Sequence, residues 1–344
     1  MQFRGAGKPS VGVIFDCDMG NGIDDALALA LLYGLQAKNE SRVIGLCTTK
    51  PSLNSAELCD VILRFYMGIQ EVSGFNPPQN IGLALKGARP EDTPMLSMLD
   101  RKGPDGKPVY TRSMHRMNDS ADPMAVIRNA LSGQYDQNAI VVLAGPATNL
   151  VHMLALPGSK EWVTQKVRYL VVAAGNYPAG PPEFGIQGDV AAAKKLFAEW
   201  PGPIVAVGSD VGAALPFPGA SIEKDFAWSP AHPVADAYRA NKPMPYDAPS
   251  TAVAAALYAV REKENYFKVS DPGTISVADD GSTKFTPGAS GHHRYLIVDP
   301  AQKEKILAAY VELASAKPAP RQQRFRPPQK QDQKQGQKQD QKKQ

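Results

Sequence analysis

The chain has 344 residues, room for one large α/β domain or two smaller ones, and its 43% hydrophobic content is enough to build a core. No run of eighteen apolar residues occurs, so a membrane-spanning helix is not expected. The net charge of +4 conceals two parts: residues 317–344 hold nine Lys/Arg against two Asp/Glu, which leaves residues 1–316 at −3. A mildly acidic body implies no basic face for nucleic acid.

Residues 1–10 carry no apolar signal core and read as a flexible N-terminus. The expected location is cytoplasmic, although a chain trimmed of a leader would read the same. Val11 to Phe15 and Val43 to Cys47 are β-branched apolar runs, and a helical pattern from Asp25 to about Lys38 joins them. That is a βαβ unit with a right-handed crossover, hence a parallel sheet. Ser55 to Met67 reads as a helix and Ile81 to Ala84 as a short strand. Gly87 to Asn118 is rich in Pro, Gly and charge and lacks periodicity, so it reads as a long loop of the kind that forms lids or rims.

The alternation then resumes. Helices are expected at Asp122 to Ser132, Ala147 to Leu156, Asp189 to Trp200 (with Asp189 as N-cap), Pro233 to Asn241 and Ser250 to Val260. Strands are expected at Ala139 to Leu143, Val167 to Val172 and Ile204 to Val207. From about Tyr266, the pairs Pro272-Gly273, Asp280-Gly281 and Pro287-Gly288 punctuate short alternating segments, which predicts a small antiparallel appendage. Ala301 to Ala314 closes the fold as a helix. Residues 317–344 are Gln/Lys-rich and read as a disordered tail. The predicted fold is an open, mostly parallel α/β sheet flanked by helices, with the catalytic domain over residues 11–316. Cys17, Cys47 and Cys59 lack metal-like spacing and read as buried thiols.

In an open parallel sheet, ligands bind beyond the carboxyl ends of the strands. Four stretches there carry chemistry. Asp16, Asp18, Asp24 and Asp25 crowd into ten residues after the first strand. Capping and the helix dipole account for one or two acids at a helix start, not four. Acids this close raise each other's pKa unless a cation sits among them, and carboxylate oxygens suit a hard cation. The second stretch is Ala144-Gly145-Pro146-Ala147-Thr148-Asn149. The third is Gly175-Asn176 with Glu183-Phe184-Gly185. The fourth is Tyr246-Asp247. Each of the last three, taken alone, also reads as a strand-to-helix turn or cap. Thr48-Thr49-Lys50-Pro51-Ser52-Leu53-Asn54 is a weaker fifth. The histidines are scattered; His152 reads as a packed helix residue, and His115 lies in the long loop with Arg112 and Arg116.

Asp16-x-Asp18-x-Gly20 followed by Asp24-Asp25-Ala26, with the later stretches in this order, resembles the inosine/uridine-type nucleoside hydrolases, over roughly residues 11–265. The acidic loop is two residues longer than the commoner family form and resembles a longer bacterial variant, which often has an Asp where Gly22 stands. The resemblance implies a calcium-dependent N-ribohydrolase of α/β fold that commonly forms dimers or tetramers. It implies that Asp18, Asp25, Asp247 and the Ala144 carbonyl bind Ca²⁺, that Asp18 is the general base, and that Asp16 orients this shell. It further implies that Asp24, Asn176 and Glu183 hold the sugar hydroxyls, with Asn54 a substrate contact on a loose alignment. Two departures stand out. Gly185 replaces the family's Asn, and Tyr246 replaces a His that can protonate the leaving base; a phenol is the poorer acid at neutral pH but can stack on a base, and Tyr246 and the long loop are the candidates to serve the leaving base as proton donor or stacking partner. The expected activity is hydrolysis of a ribonucleoside to ribose and free base. A ribose- or nucleoside-binding protein that has lost turnover is the alternative, and a haloacid dehalogenase-type phosphatase with Asp16 as nucleophile is a distant third. Expected partners are a small nucleoside and further copies of the chain. Contact of the basic tail with nucleic acid is not expected.

Overall fold

The computed structural model describes residues 10–68 and 81–318. The expectations for residues 1–9 and for the tail beyond Pro318 lie outside the described residues. The chain begins with β1 (Val11–Cys17), α1 (Ile23–Ala37), β2 (Ser41–Thr48), α2 (Leu53–Met67) and β3 (Ile81–Leu83). After the long connection come α3 (Pro123–Ser132), β4 (Ala139–Ala144), α4 (Thr148–Leu154), α5 (Ser159–Lys166) and β5 (Val167–Ala173). Then follow β6 (Ala179–Gly180), α6 (Phe184–Gly188), α7 (Val190–Glu199), β7 (Ile204–Val207), α8 (Ser209–Ala214), α9 (Ala220–Lys224), α10 (Pro233–Asn241) and α11 (Thr251–Arg261). The last elements are β8 (Phe267–Val269), β9 (Gly273–Val277), β10 (Thr283–Pro287), β11 (His293–Val298) and α12 (Lys303–Ala314).

The strands form one sheet in the order β3-β2-β1-β4-β5-β7-β11-β9-β10-β6, with β8 on β11. From β3 to β11 every pairing is parallel. The C-terminal segment is antiparallel, as its turn signals predict, and it extends the main sheet: β11 lies parallel to β7, while β9, β10 and β6 continue antiparallel beyond it. The chain leaves β1 in one direction to β2 and later returns to its other side as β4. The crevice where the order reverses opens at the carboxyl ends of these two strands, where Cys17 pairs with Ala144.

Both faces of β1 are covered, which is why it reads as a continuous apolar run. Val13, Phe15 and Cys17 pack into a core with α1, α2, α10, α11 and α12. Ile14 points to the other core, with α3, α4, α5 and α7. By the same alternation Asp16 falls on the α4 side. Asp122 and Asp189 cap α3 and α7, accepting from Ala125 N and Ala192 N. The short helices α5, α6, α8 and α9 were not anticipated, because they span eight residues or fewer and carry no extended apolar stripe. His152 is helical as expected, but it is exposed rather than packed; the buried histidines are His232 and His293. The three cysteines are buried and free.

Helices α1 and α12 approach so closely that a Cβ on Gly34 would stand 2.1 Å from the Leu313 carbonyl oxygen. Gly34→Ala should therefore force the helices apart and lower stability by about 1–3 kcal/mol, measured as a shift in the urea unfolding midpoint at unchanged slope.

Candidate active site

The acidic loop runs from the end of β1 into the first turn of α1. Asp16 is fully buried, and its Oδ1 accepts from Asn149 Nδ2 at 2.8 Å. That bond joins β1 to α4 across the crevice. Asp18 and Asp25 are also buried and their carboxyls abut. Asp16 Oδ2 and Asp25 Oδ2 are buried without a hydrogen-bond partner. Gly22 at the N-cap of α1 offers no side-chain cap, so Asp24 and Asp25 face the unpaired N–H groups and positive dipole end of the first turn. Asp24 Oδ2 accepts from Ala252 N, near the start of α11, whose own N-cap Ser250 makes no side-chain cap. One acid thus serves the origins of two helices.

The turn after β4 must come very near this loop. A Cβ on Gly145 would lie 2.7 Å from Asp18 N and 2.8 Å from Cys17 C. Only glycine allows the two strand ends to meet, and the same meeting places the end of β4 at Ala144 beside Cys17.

Glu183 caps α6: its Oε2 accepts from the backbone N–H groups of Gly175, Gly185 and Ile186 at 2.9–3.2 Å. Gly185 lacks the side chain of the family residue, but its N–H helps hold Glu183. Asn176 Nδ2 donates to the Pro181 carbonyl, and its backbone N–H donates to Thr283 Oγ1.

Other nominated residues are engaged elsewhere. Asn54 Nδ2 donates to Asp92, which ties α2 to the long connection. Tyr246 stacks on Tyr238, with ring centroids 4.4 Å apart. Its hydroxyl donates to the Tyr238 carbonyl at 2.7 Å, and burial raises its pKa. The Tyr246 hydroxyl, expected to serve the leaving base, thus donates to main chain in this structure, and burial weakens its acidity. Asp247 is exposed, and its Oδ1 accepts from Gly219 N at 2.8 Å. Among the described residues, no three His, Cys, Asp or Glu side chains converge so as to hold a metal ion. His115 is exposed in the long connection, where its backbone N–H donates to Asp119.

Four residues that complete the site were missed or undervalued in the sequence. Asn149 is described above. Asn21 Nδ2 donates to Asp18 Oδ2 at 2.8 Å. The buried Lys50 Nζ donates to Asn21 Oδ1 at 2.8 Å and to the carbonyls of Arg89 and Glu91 at 2.5 Å. Lys50 thus clamps the long connection onto the acidic loop, and Thr93 Oγ1 donates to the Gly20 carbonyl beside it. Arg89 reaches over Phe184: its guanidinium lies 3.3 Å from the ring centroid, and Nη1 donates to the Phe184 carbonyl at 3.1 Å. Lys50 stood in view after β2, but Arg89 lies in a stretch with no periodicity to single it out.

The site is electrostatically unbalanced. Burial pushes the Asp16 carboxyl up to about 7 and Asp24 up to about 6, against Asn149 and the Ala252 N–H respectively, which pull them down. Burial raises Asp18 as well, opposed by the Asn21 hydrogen bond and by Arg89 and Lys50. Burial, then the neighbouring Asp18 and Asp24, hold Asp25 well above the usual carboxylate range. Burial also raises Glu183, against its three backbone donors. Burial lowers Lys50 despite the surrounding acids. A group of carboxyls that resists ionisation in one crevice is a common property of active sites and of cation sites.

The family model described as inosine-uridine preferring nucleoside hydrolase matches residues 13–319, and the chain belongs to that family of hydrolases acting on N-glycosidic bonds. Among curated proteins there is no match. Three solved structures share the fold. A plant nucleoside hydrolase is 19% identical at a TM-score of 0.60, over 90% of this chain and 100% of its own. The purine-preferring ribonucleoside hydrolase from Gardnerella vaginalis is 17% identical at 0.62, over 88% and 99%. The inosine-uridine preferring nucleoside hydrolase from Bacillus anthracis is 16% identical at 0.60, over 89% and 99%. Among the described residues no helix is long and apolar enough to cross a membrane.

The raised carboxyls set the sign of a pH effect. Asp16 and Asp24 hold protons in the folded state that the unfolded chain releases near the ordinary value of 3.8. Their contribution to stability is complete below about pH 4 and is lost as pH rises through about 6 to 7. In the presence of chelator, thermal melting should therefore fall across that window. A melting temperature that rises over the same window would contradict the assignment.

Proposed function

We propose that the chain hydrolyses the N-glycosidic bond of a ribonucleoside, releasing ribose and free base, with Asp18 as the general base. The observation that carries this reading is the Asp18–Asp25 pair: two buried carboxyls in contact at the crevice, one with an oxygen lacking any partner. Burial raises the Asp18 carboxyl above its ordinary value, which makes it a stronger base than a free carboxylate.

The same pair fits a hard cation, because every nominated donor is oxygen and the abutting acids want positive charge. Asp18, Asp25 and the Ala144 carbonyl would hold Ca²⁺; Asp247, the fourth expected ligand, is bonded to Gly219 N in this structure. Bound there, Ca²⁺ supplies the charge that lowers the pKa of a water. Asp18 takes one proton of the attacking water. The C1′–O bond forms, the C1′–N bond breaks, and the bonding pair leaves with the base. Asp24 and Glu183 face the developing positive charge of the sugar ring, and Asn176 lies beside Glu183 to hold a hydroxyl. Asp16, fixed by Asn149, orients the Asp18 segment from behind. Asn54 and Tyr246 have no part in this scheme. The catalytic unit is residues 11–316, with residues 317–344 as a tail, and further copies of the chain are expected partners.

A second reading, a metal-dependent nucleoside binder without turnover, is favoured by the missing side chain at Gly185 and the engaged hydroxyl of Tyr246. One experiment separates the two. Ribose release from purine and pyrimidine nucleosides should require added Ca²⁺, stop with chelator, and fall at least about 10³-fold in Asp18→Asn with the fold intact by circular dichroism. Calorimetric binding of nucleoside without ribose release would support the binder, and full turnover by Asp18→Asn would rule out Asp18 as base.

A further inference from the structure

The scheme above leaves the departing base without a partner. The bonding electrons leave on the base, so a group that stabilises negative charge there must face it. Arg89 is placed to do so. Its side chain lies on Phe184, the residue after Glu183, and Phe184 is 47% exposed at the crevice. Glu183, the proposed sugar contact, directly precedes Phe184, so Arg89 and a sugar at Glu183 would be neighbours. Only Nη1 of Arg89 is engaged among the described hydrogen bonds, by the Phe184 carbonyl. The backbone of Arg89 is left-handed, with φ +55°, uncommon outside glycine. It is pinned there by Lys50 Nζ on the Arg89 carbonyl, the same ammonium that reaches Asp18 through Asn21. The backbone that carries the fork is therefore tied to the acidic loop through Lys50 and Asn21, and the fork itself is held by Phe184.

We infer that Arg89, seated on Phe184, is the specificity-determining residue for the leaving base and selects a 6-oxopurine. This rests on the nucleoside hydrolase reading above. A guanidinium fork offers two parallel N–H donors, and the adjacent O6 and N7 acceptors of hypoxanthine or guanine match them. Adenine presents an amino donor beside N7 and mismatches. Uracil has no adjacent acceptor pair. As the C1′–N9 bond breaks, its electron pair spreads to N7 and O6. Arg89 holds that charge by hydrogen bonds, and the base takes its proton from solvent.

The test compares kcat/KM for inosine, guanosine, adenosine, uridine and 7-deazainosine, with Ca²⁺ present, in the wild type, Arg89→Gln and Arg89→Lys. Loss of a bidentate pair predicts a fall of roughly 10- to 100-fold on inosine and guanosine in Arg89→Gln. Uridine makes no such pair, so whatever Arg89→Gln does to it through the acids is shared by inosine, and the inosine-to-uridine ratio of kcat/KM should fall by roughly 10-fold or more. Arg89→Lys, which keeps the charge but not the fork, should stay nearer the Gln variant. On 7-deazainosine, which lacks the N7 acceptor, the penalty of Arg89→Gln should disappear. Equal losses on inosine and uridine, or an undiminished penalty on 7-deazainosine, would overturn the role of Arg89 while leaving the hydrolase standing. No base release by the wild type from any of the five would sink the hydrolase reading and this inference with it.

Discussion

Three buried carboxyls and a half-buried fourth, crowded after one strand, are the constraint on which the rest of this structure depends. Ionised carboxylates cannot be buried together without compensation, so each must find donors, keep its proton or meet a cation. The chain uses the first device in full view. Asn149 serves Asp16, Asn21 serves Asp18, and the backbone of α11 serves Asp24. Asp25 is left abutting Asp18 with an oxygen unpaired. That residual demand for positive charge turns a well-packed loop into a candidate reaction centre.

The long connection between β3 and α3 answers part of the same demand. Lys50 is a buried cation whose three donors reach Asn21 and two carbonyls of that connection. One ammonium therefore offsets the acids and ties down the rim that carries Arg89. An aperiodic stretch acquires a defined path because its carbonyls are ligands of a buried charge, and the shape of the crevice is coupled to its electrostatics.

Much of the fold was legible because both faces of the parallel strands are buried. Continuous apolar runs such as Ala139 to Leu143 and Ile204 to Val207 need no tertiary knowledge to be read as strands. The acid cluster was legible for a similar local reason, since a strand followed by four acids within ten residues is rarely explained by capping. The long-range partners were not. Nothing around Asn149 says that its amide will cross to Asp16, and nothing near Arg89 marks it as the residue above Phe184. The replacement of His by Tyr246 was visible, whereas the commitment of its hydroxyl to Tyr238 was not.

The sequence by itself determined the parallel α/β order, the place of the site after the first strand, and the acid residues that define its chemistry, because periodicity and local charge density are properties of neighbours along the chain. Tertiary structure alone decided which acids touch, which cation reaches them, that Asp247 faces Gly219 and that Asn54 faces Asp92. Those outcomes depend on how closely strand ends approach, as Gly145 permits, and on which groups 28 to 228 residues apart are brought within a hydrogen bond of one another. Local pattern carries no record of such distances, since they are set by packing of the whole sheet and its two helical layers.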